Sequence, residues 1–154
     1  MLMPPATLSA KEIALRVPHK GAMCLLDSVE SWSEENISAS AIIDIDKNPL
    51  TIAGKLDSTA AIEYAAQAMA VHGALLGEVA AAKGNPQRKP LMGFLASVRS
   101  IACHQSWLSD TSNPLTISAT RTAGTDSPVS YDFSVRAGEV VYVTGKATVV
   151  LNFE

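Results

Sequence analysis

The sequence predicts an α+β domain in which an antiparallel sheet wraps around one long central helix. Three observations lead there. Residues Lys55–Glu78 form an Ala-rich, helix-favouring run that is apolar nearly all round, the pattern of a helix covered on more than one side. Segments before and after it alternate with period two, as half-buried strands do. The order is a short helix, a hairpin, the long helix, then a run of strands. Strands grouped around one helix fit α+β and not an alternating parallel fold. A sheet curved around the helix still leaves one helix flank and a sheet edge to cover, so a dimer is expected.

Taken in order, residues 1–8 read as a loose, flexible N-terminal arm of one domain spanning 1–154. Ser9-Ala10-Lys11-Glu12 fits a capping box, in which Ser9 and Glu12 satisfy each other's backbone donors. The short helix it opens should run to about Arg16 and stop before Pro18. Val17–Met23 is an irregular turn. It feeds two strands, Cys24–Trp32 and Ile37–Ile45, the second alternating Ile37, Ala39, Ala41, Ile43 and Ile45 against polar residues. Asp46–Gly54 is a loop around Asn48-Pro49. Asp57 or Ser58 caps the central helix with a side-chain oxygen. That helix extends to about Lys83, with a possible bend at Gly73 or Gly77, and ends at Gly84-Asn85-Pro86. Gln87–Pro90 is a polar, basic linker. Strands then cover Leu91–Cys103, Leu115–Arg121, Val129–Arg136 and, after a tight turn at Ala137-Gly138, Val140–Phe153. A bulge or bend is expected at Gly145.

Composition narrows the function. The 154 residues suffice for one domain with a proper core. A content of 47% hydrophobic and 18% charged residues excludes a disordered chain. A net charge of −3 with no block of like charges gives nucleic acid no electrostatic footprint. Cys24 and Cys103 form no CxxC, and three histidines are few for a structural zinc site, so no metal is expected. No basic start is followed by an apolar run, so no secretory signal is expected. Glu63, Gln67 and His72 interrupt the longest apolar stretch, which argues against a membrane span. The expected setting is cytoplasmic.

Two side chains stand out chemically. Glu63 lies in an apolar helix, where a charged carboxylate is costly unless it is used. Burial would favour its protonated, proton-donating form. The alternative is a solvent-facing residue near a helix start, where the dipole favours negative charge. His19 follows a proline in a turn, either as a surface histidine or as a general base. Gln67 is one turn beyond Glu63 on the same face. It could hold Glu63, bind a substrate amide or serve as a satisfied core amide. Tyr64 reads as packing, and His72, on the opposite face, as a buried, hydrogen-bonded structural histidine. Cys24 reads as core, and His104 is given no catalytic role. No GxSxG, Walker A or GxGxxG element occurs.

These residues resemble a known family. Pro18-His19-Lys20-Gly21-Ala22-Met23-Cys24-Leu25-Leu26-Asp27 is similar to the PHxxPxLLLD-like segment of the 3-hydroxyacyl-acyl-carrier-protein dehydratases. Ile62-Glu63-Tyr64-Ala65-Ala66-Gln67-Ala68-Met69-Ala70 resembles their central-helix motif, in which Glu precedes Gln by four residues. Leu91–Arg99 and Gly145–Leu151 resemble their later strands, and the likeness runs from about residue 12 to 152. Within the family it is strongest to the dehydratases of aryl-polyene and related polyene-lipid pathways.

The resemblance implies a hotdog fold and a dimer, homomeric or heteromeric with a related hotdog subunit, whose sites are shared between chains. It implies His19 as base and Glu63, from the partner chain, as acid. Backbone N–H groups at the helix start, around Ser58, Thr59 and Ala60, would polarise the thioester carbonyl, and Gln67 would contact substrate. The substrate would ride on the phosphopantetheine of an acyl carrier protein, and no cofactor is needed. Lys20, Lys83, Arg88, Lys89 and Arg99 are candidate docking cations for that acidic carrier. The family's glycine at the helix start is replaced by Ser58, and the preceding loop, Asn48–Asp57, departs from its HFPGxPxxPG-like stretch. A thioesterase on the same fold and a non-catalytic acyl-binding subunit are the alternatives.

Overall fold

The computed structural model describes residues 3–19, 21–84, 90–108, 113–124 and 128–153. Helix α1 spans Ala10–Ala14 and α2 spans Ala61–Ala82. The strands are β1 (Leu8–Ser9), β2 (Ser28–Trp32), β3 (Asn36–Ala41), β4 (Pro90–Cys103), β5 (Leu115–Ala123), β6 (Val129–Ala137) and β7 (Val140–Phe153). They form one seven-stranded sheet in the order β1-β2-β3-β5-β6-β7-β4, with every pair antiparallel. Helix α2 packs against β3, β4, β5, β6 and β7. The architecture is therefore a sheet around a helix. Its core joins Tyr64, Ala68, Met69 and Leu75 of α2 to Ile37, Ile117, Phe133 and Val143 of the sheet.

The period-two segments became strands where their backbone groups found strand partners, and nowhere else. Cys24–Asp27 was expected to be strand and is not. Gly21–Met23 winds into a single 3-10 turn, and the Leu25 N–H is taken by the Gln67 side chain at 2.9 Å. The ladder begins only at Ser28. β3 stops at Ala41 and does not reach Ile45, because the Ile42 N–H is held by Asp27 Oδ2 at 2.6 Å. Residues 1–8 were expected to be loose, but Leu8 is buried and pairs with Val29. Trp32 Nε1 also donates to the Pro5 carbonyl at 2.8 Å. The Ser9/Glu12 capping box is present at the start of α1.

The irregularity expected at Gly145 lies on the strand beside it. Arg99 pairs with Lys146 and Ala102 with Thr144, so Ser100 and Ile101 face Gly145 alone. Ser100 takes a left-handed φ of 54° to make this bulge. Gly145 itself stays in register opposite Phe133. A Cβ there would meet Ile101 Cδ1 and, at 2.9 Å, Phe133 Cζ.

β4 is, with β1, one of the sheet's two outer strands. From 95 to 100 every residue of it is exposed, including Leu95 and Val98. In the middle of α2, His72 is fully buried. Its Nε2 donates to the Ser33 carbonyl at 2.7 Å, which leaves Nδ1 to accept the Tyr131 hydroxyl proton at 2.6 Å. This is the structural role expected of it. Among the described residues, no helix is long and apolar enough to cross a membrane.

Candidate active site

The site begins with a tie between a turn and a helix. Gln67 is fully buried on α2. Its Oε1 accepts the Leu25 N–H at 2.9 Å, and its Nε2 donates to the Met23 carbonyl at 2.7 Å. These two bonds fix the turn that carries His19 against the start of α2. Cys24 adds a third link, its thiol donating to the His19 carbonyl at 3.1 Å. One helical turn before Gln67 stands Glu63. The fixed turn brings His19 Nε2 to 2.7 Å from Glu63 Oε1. Gln67 Nε2 also reaches that oxygen, at 3.2 Å. The two candidates singled out separately in the sequence are thus in contact, within a single chain.

The geometry also limits how the pair can work. His19 Nδ1 is sealed from solvent and has no partner among the described residues, so Nε2 is the nitrogen the ring presents. The side chains of His19 and Glu63 are 26% and 33% exposed. Glu63 is therefore not enclosed in apolar surroundings, as its neighbours in sequence had suggested. It sits in the first turn of α2, where its carboxyl projects toward the turn and not into the sheet. An imidazole and a carboxyl in hydrogen-bond contact, both reachable from solvent, can exchange a proton with each other and with a bound molecule.

Gln67 was expected to hold Glu63, bind a substrate amide or serve as a satisfied core amide. With both polar atoms bonded inside the core, it holds the turn and Glu63. The helix-start donors are committed as well. Ser58 N donates to the Ser106 carbonyl at 3.1 Å and Ala60 N to the Asp57 carbonyl at 2.9 Å. Thr59 N donates to Asp57 Oδ1 at 2.8 Å. In this structure all three N–H groups therefore have acceptors within the protein. The Ser58 hydroxyl is likewise spent on the Gln105 carbonyl. Asp57 or Ser58 was expected to cap the central helix; Asp57 instead caps the 3-10 turn Ser58–Ala60 that leads into α2, whose own N-cap, Ala60, has no side-chain bond. The Thr59 hydrogen bonds hold the Asp57 carboxyl below the usual range.

A pocket of about 430 Å³ opens beside this helix start, between Asp57-Ser58 and Cys103–Trp107. His19, Glu63 and Gln67 are not on its wall. At its rim, Lys55 Nζ lies 4.7 Å over the Trp107 ring. His104 lines this pocket, away from the pair. Tyr64 is buried packing, its hydroxyl accepting from Asn48 Nδ2 at 2.8 Å. Of the candidate docking cations, Lys83 and Arg99 are exposed, and Lys20, Arg88 and Lys89 lie outside the described residues.

A helix wrapped by an antiparallel sheet is a hotdog fold, and here an imidazole–carboxyl pair stands where the helix begins. The chain belongs to the ApeP-like family, described as ApeP dehydratase, whose model matches residues 11–152. Among solved structures it is similar to the dehydratase heterocomplex ApeI:P from Xenorhabdus doucetiae. That match has 21% identity, 94% of this chain and 91% of that chain covered, and a TM-score of 0.76. A thioesterase from Haemophilus influenzae matches with 11% identity, 95% and 92% coverage and a TM-score of 0.65. The E. coli PaaI protein, from the phenylacetic acid degradation operon, matches with 12% identity, 92% and 88% coverage and a TM-score of 0.60. These likenesses establish the hotdog fold. No curated protein sequence matches the chain.

Proposed function

We propose that this protein dehydrates 3-hydroxyacyl thioesters to trans-2-enoyl thioesters. The acyl group is carried on the phosphopantetheine of an acyl carrier protein, in the cytoplasm, in polyene-lipid or fatty-acid type synthesis. The observation that carries the reading is the 2.7 Å contact between His19 Nε2 and Glu63 Oε1, in a chain of a dehydratase family. The thioester acidifies C2. His19 Nε2 takes the C2 proton, and the C–H electron pair becomes the C2–C3 π bond as the C3–O bond breaks. Glu63 gives its proton to the departing hydroxyl, which leaves as water. The proton now on Nε2 returns to Glu63 across the contact between them, and the pair is reset. The scheme draws on no metal or redox cofactor.

In this scheme Ser58, Thr59 and Ala60 shape the helix start, and their N–H groups donate inside the protein. Gln67 positions the pair. The assembly we propose is a dimer, either of this chain or with a related hotdog subunit. The exposed β4 edge supports a dimer. The ApeI:P heterocomplex similar to this chain supports the mixed form. Of the five candidate docking cations, Lys83 and Arg99 are described and exposed, and would face an acidic carrier.

The test is His19→Ala and Glu63→Gln, each shown to be folded, incubated with a 3-hydroxyacyl carrier protein. Each should lose about 100- to 10,000-fold in dehydration rate. Near-normal rates in both would end the reading. Structural similarity to a thioesterase makes product identity part of the test. An enoyl thioester supports dehydration, whereas free acid and thiol would transfer the pair to hydrolysis, with Glu63 activating water.

A further inference from the structure

We propose that Arg16 is a positioning residue for His19, acting through a two-pronged ion pair with Glu78 on the central helix. Its effect on turnover rests on the dehydratase reading; its effect on the ring rests on geometry alone. Both concern the seat of the imidazole, whichever subunit supplies the carboxyl that works with it.

Arg16 lies just beyond α1, whose five residues are too few to hold a helix on their own. Its N–H donates to the Ile13 carbonyl at 2.8 Å and its Nη1 to the Glu12 carbonyl at 2.9 Å, which fixes it to the end of α1. The rest of the guanidinium crosses to α2. Nε donates to Glu78 Oε2 and Nη2 to Glu78 Oε1, both at 2.7 Å. Two parallel charge-assisted bonds fix direction as well as distance, which a lysine ammonium does not do. The Arg16 side chain is only 14% exposed, so salt screens the pair less than one on an open surface.

His19 follows within about 10 Å of chain. Between the two, Val17 is buried and Pro18 has a fixed φ, so a shift of Arg16 reaches the ring with little slack. Beyond the histidine, the Met23 carbonyl and the Leu25 N–H are held by Gln67 of the same helix. His19 is thus suspended between two attachments to α2, at Gln67 and Glu78, about 16 Å apart at the α-helical rise. Gln67 fixes the chain after the histidine, and Arg16 fixes it before.

Arg16→Met and Glu78→Met each cut the tie and keep much of the apolar stem. In folded protein, well below its melting temperature, each should lower kcat about 10- to 100-fold, because a misplaced base costs rate, with KM little changed. The double variant should be no slower than the slower single, since all three lose the same contact. Arg16→Lys, which keeps the charge and loses the fork, should recover only part of the rate. The ring is read without turnover. With nitrogen-15 histidine, the His19 imidazole signals should move in Arg16→Met while those of His72, buried in the same helix, stay. Unmoved His19 signals would overturn the proposal, because Gln67 alone would then seat the ring. So would His72 signals that move equally, since the whole helix would then have shifted, or moved His19 signals at wild-type kcat. If Arg16→Met does not fold, Arg16→Lys carries the same readings. A wild type that performs no dehydration would end the dehydratase reading, and the His19 signals would still decide what seats the ring.

Discussion

Gln67 Oε1 accepts the backbone N–H of Leu25 at 2.9 Å, from a fully buried position on the central helix. This bond replaces a strand hydrogen bond with a side-chain one, and it holds the His19 turn beside Glu63. Gln67→Leu keeps the volume but leaves the Leu25 N–H and the Met23 carbonyl without a partner. We expect a loss of about 1–3 kcal/mol by urea unfolding, the cost of an unsatisfied buried polar group. Turnover should fall with it, in kcat more than in KM, because a freed turn displaces His19. Gln67→Glu keeps an acceptor for Leu25 but no donor for Met23 or Glu63, and should be no better in kcat. A Gln67→Leu variant with wild-type kcat would show that the turn holds itself.

The sequence made some of this legible and hid the rest for physical reasons. Alternation marked β3, β5 and β6 because side chains on one face of a strand meet the same core. Glu63 stood out because a carboxylate among alanines is costly, and His72 because its helix face is apolar. The meeting of His19 with Glu63 depends on a bond from Gln67 to a turn 42 residues earlier, which no local pattern encodes. Cys24-Leu25-Leu26 looks like strand from its side chains, but its backbone groups are satisfied from the helix. Ser58, Thr59 and Ala60 looked like free donors because every helix start has them. Only the fold shows that Asp57 and Ser106 take them first.

Gly145 faces the Phe133 ring and the Ile101 side chain of the β4 bulge, with no room for a Cβ. Gly145→Ala should therefore cost about 1–3 kcal/mol by overpacking, measured by urea unfolding. Phe133→Leu alone should also destabilise, by leaving a void. The two together should cost less than the sum of the singles, because the methyl enters the space that the ring vacates. Strict additivity would show that Gly145 is not read by Phe133.

His72 makes the fold sensitive to acid. Burial lowers its pKa from the usual 6.5, opposed by the Ser33 carbonyl bond and aided by the nearby positive Arg121. Its partner Tyr131 is pushed up to about 12, mainly by burial, and stays a hydroxyl donor. Arg121 itself lies 3.6 Å from the exposed Glu34. The unfolded chain thus binds a proton at His72 at a pH where the folded chain does not. Stability is complete above about pH 6.5 and is lost as pH falls below it, by at most about 1.4 kcal/mol per pH unit for this group. Urea midpoints from about pH 7.5 to about pH 5 should fall for the wild type. His72→Phe should be less stable throughout but flatter across this window. His19 and His104 are common to both proteins, so equal slopes would remove His72 as the cause.

Asp57 tests the other departure from the expected site. Its carboxylate takes the Thr59 N–H and hydroxyl, both at 2.8 Å, at the point where a thioester oxygen was expected to bind. A negative group there opposes an enolate-like oxygen and competes for its donors. If the Thr59 N–H served the reaction, Asp57→Ala would release it and raise kcat. We expect no rise. The variant should melt at a lower temperature, because an N-cap is lost, and should dehydrate close to the wild-type rate. Losing a working oxyanion donor typically costs about 100- to 1,000-fold, so an oxyanion role of the helix start would show as a large change in either direction. The carboxyl is held below its ordinary range by Thr59. The cap is therefore complete above about pH 4 and is lost as pH falls through the lowered pKa, well below the range in which His72 titrates. A second, more acidic step in the wild-type unfolding profile that is missing in Asp57→Ala would assign it.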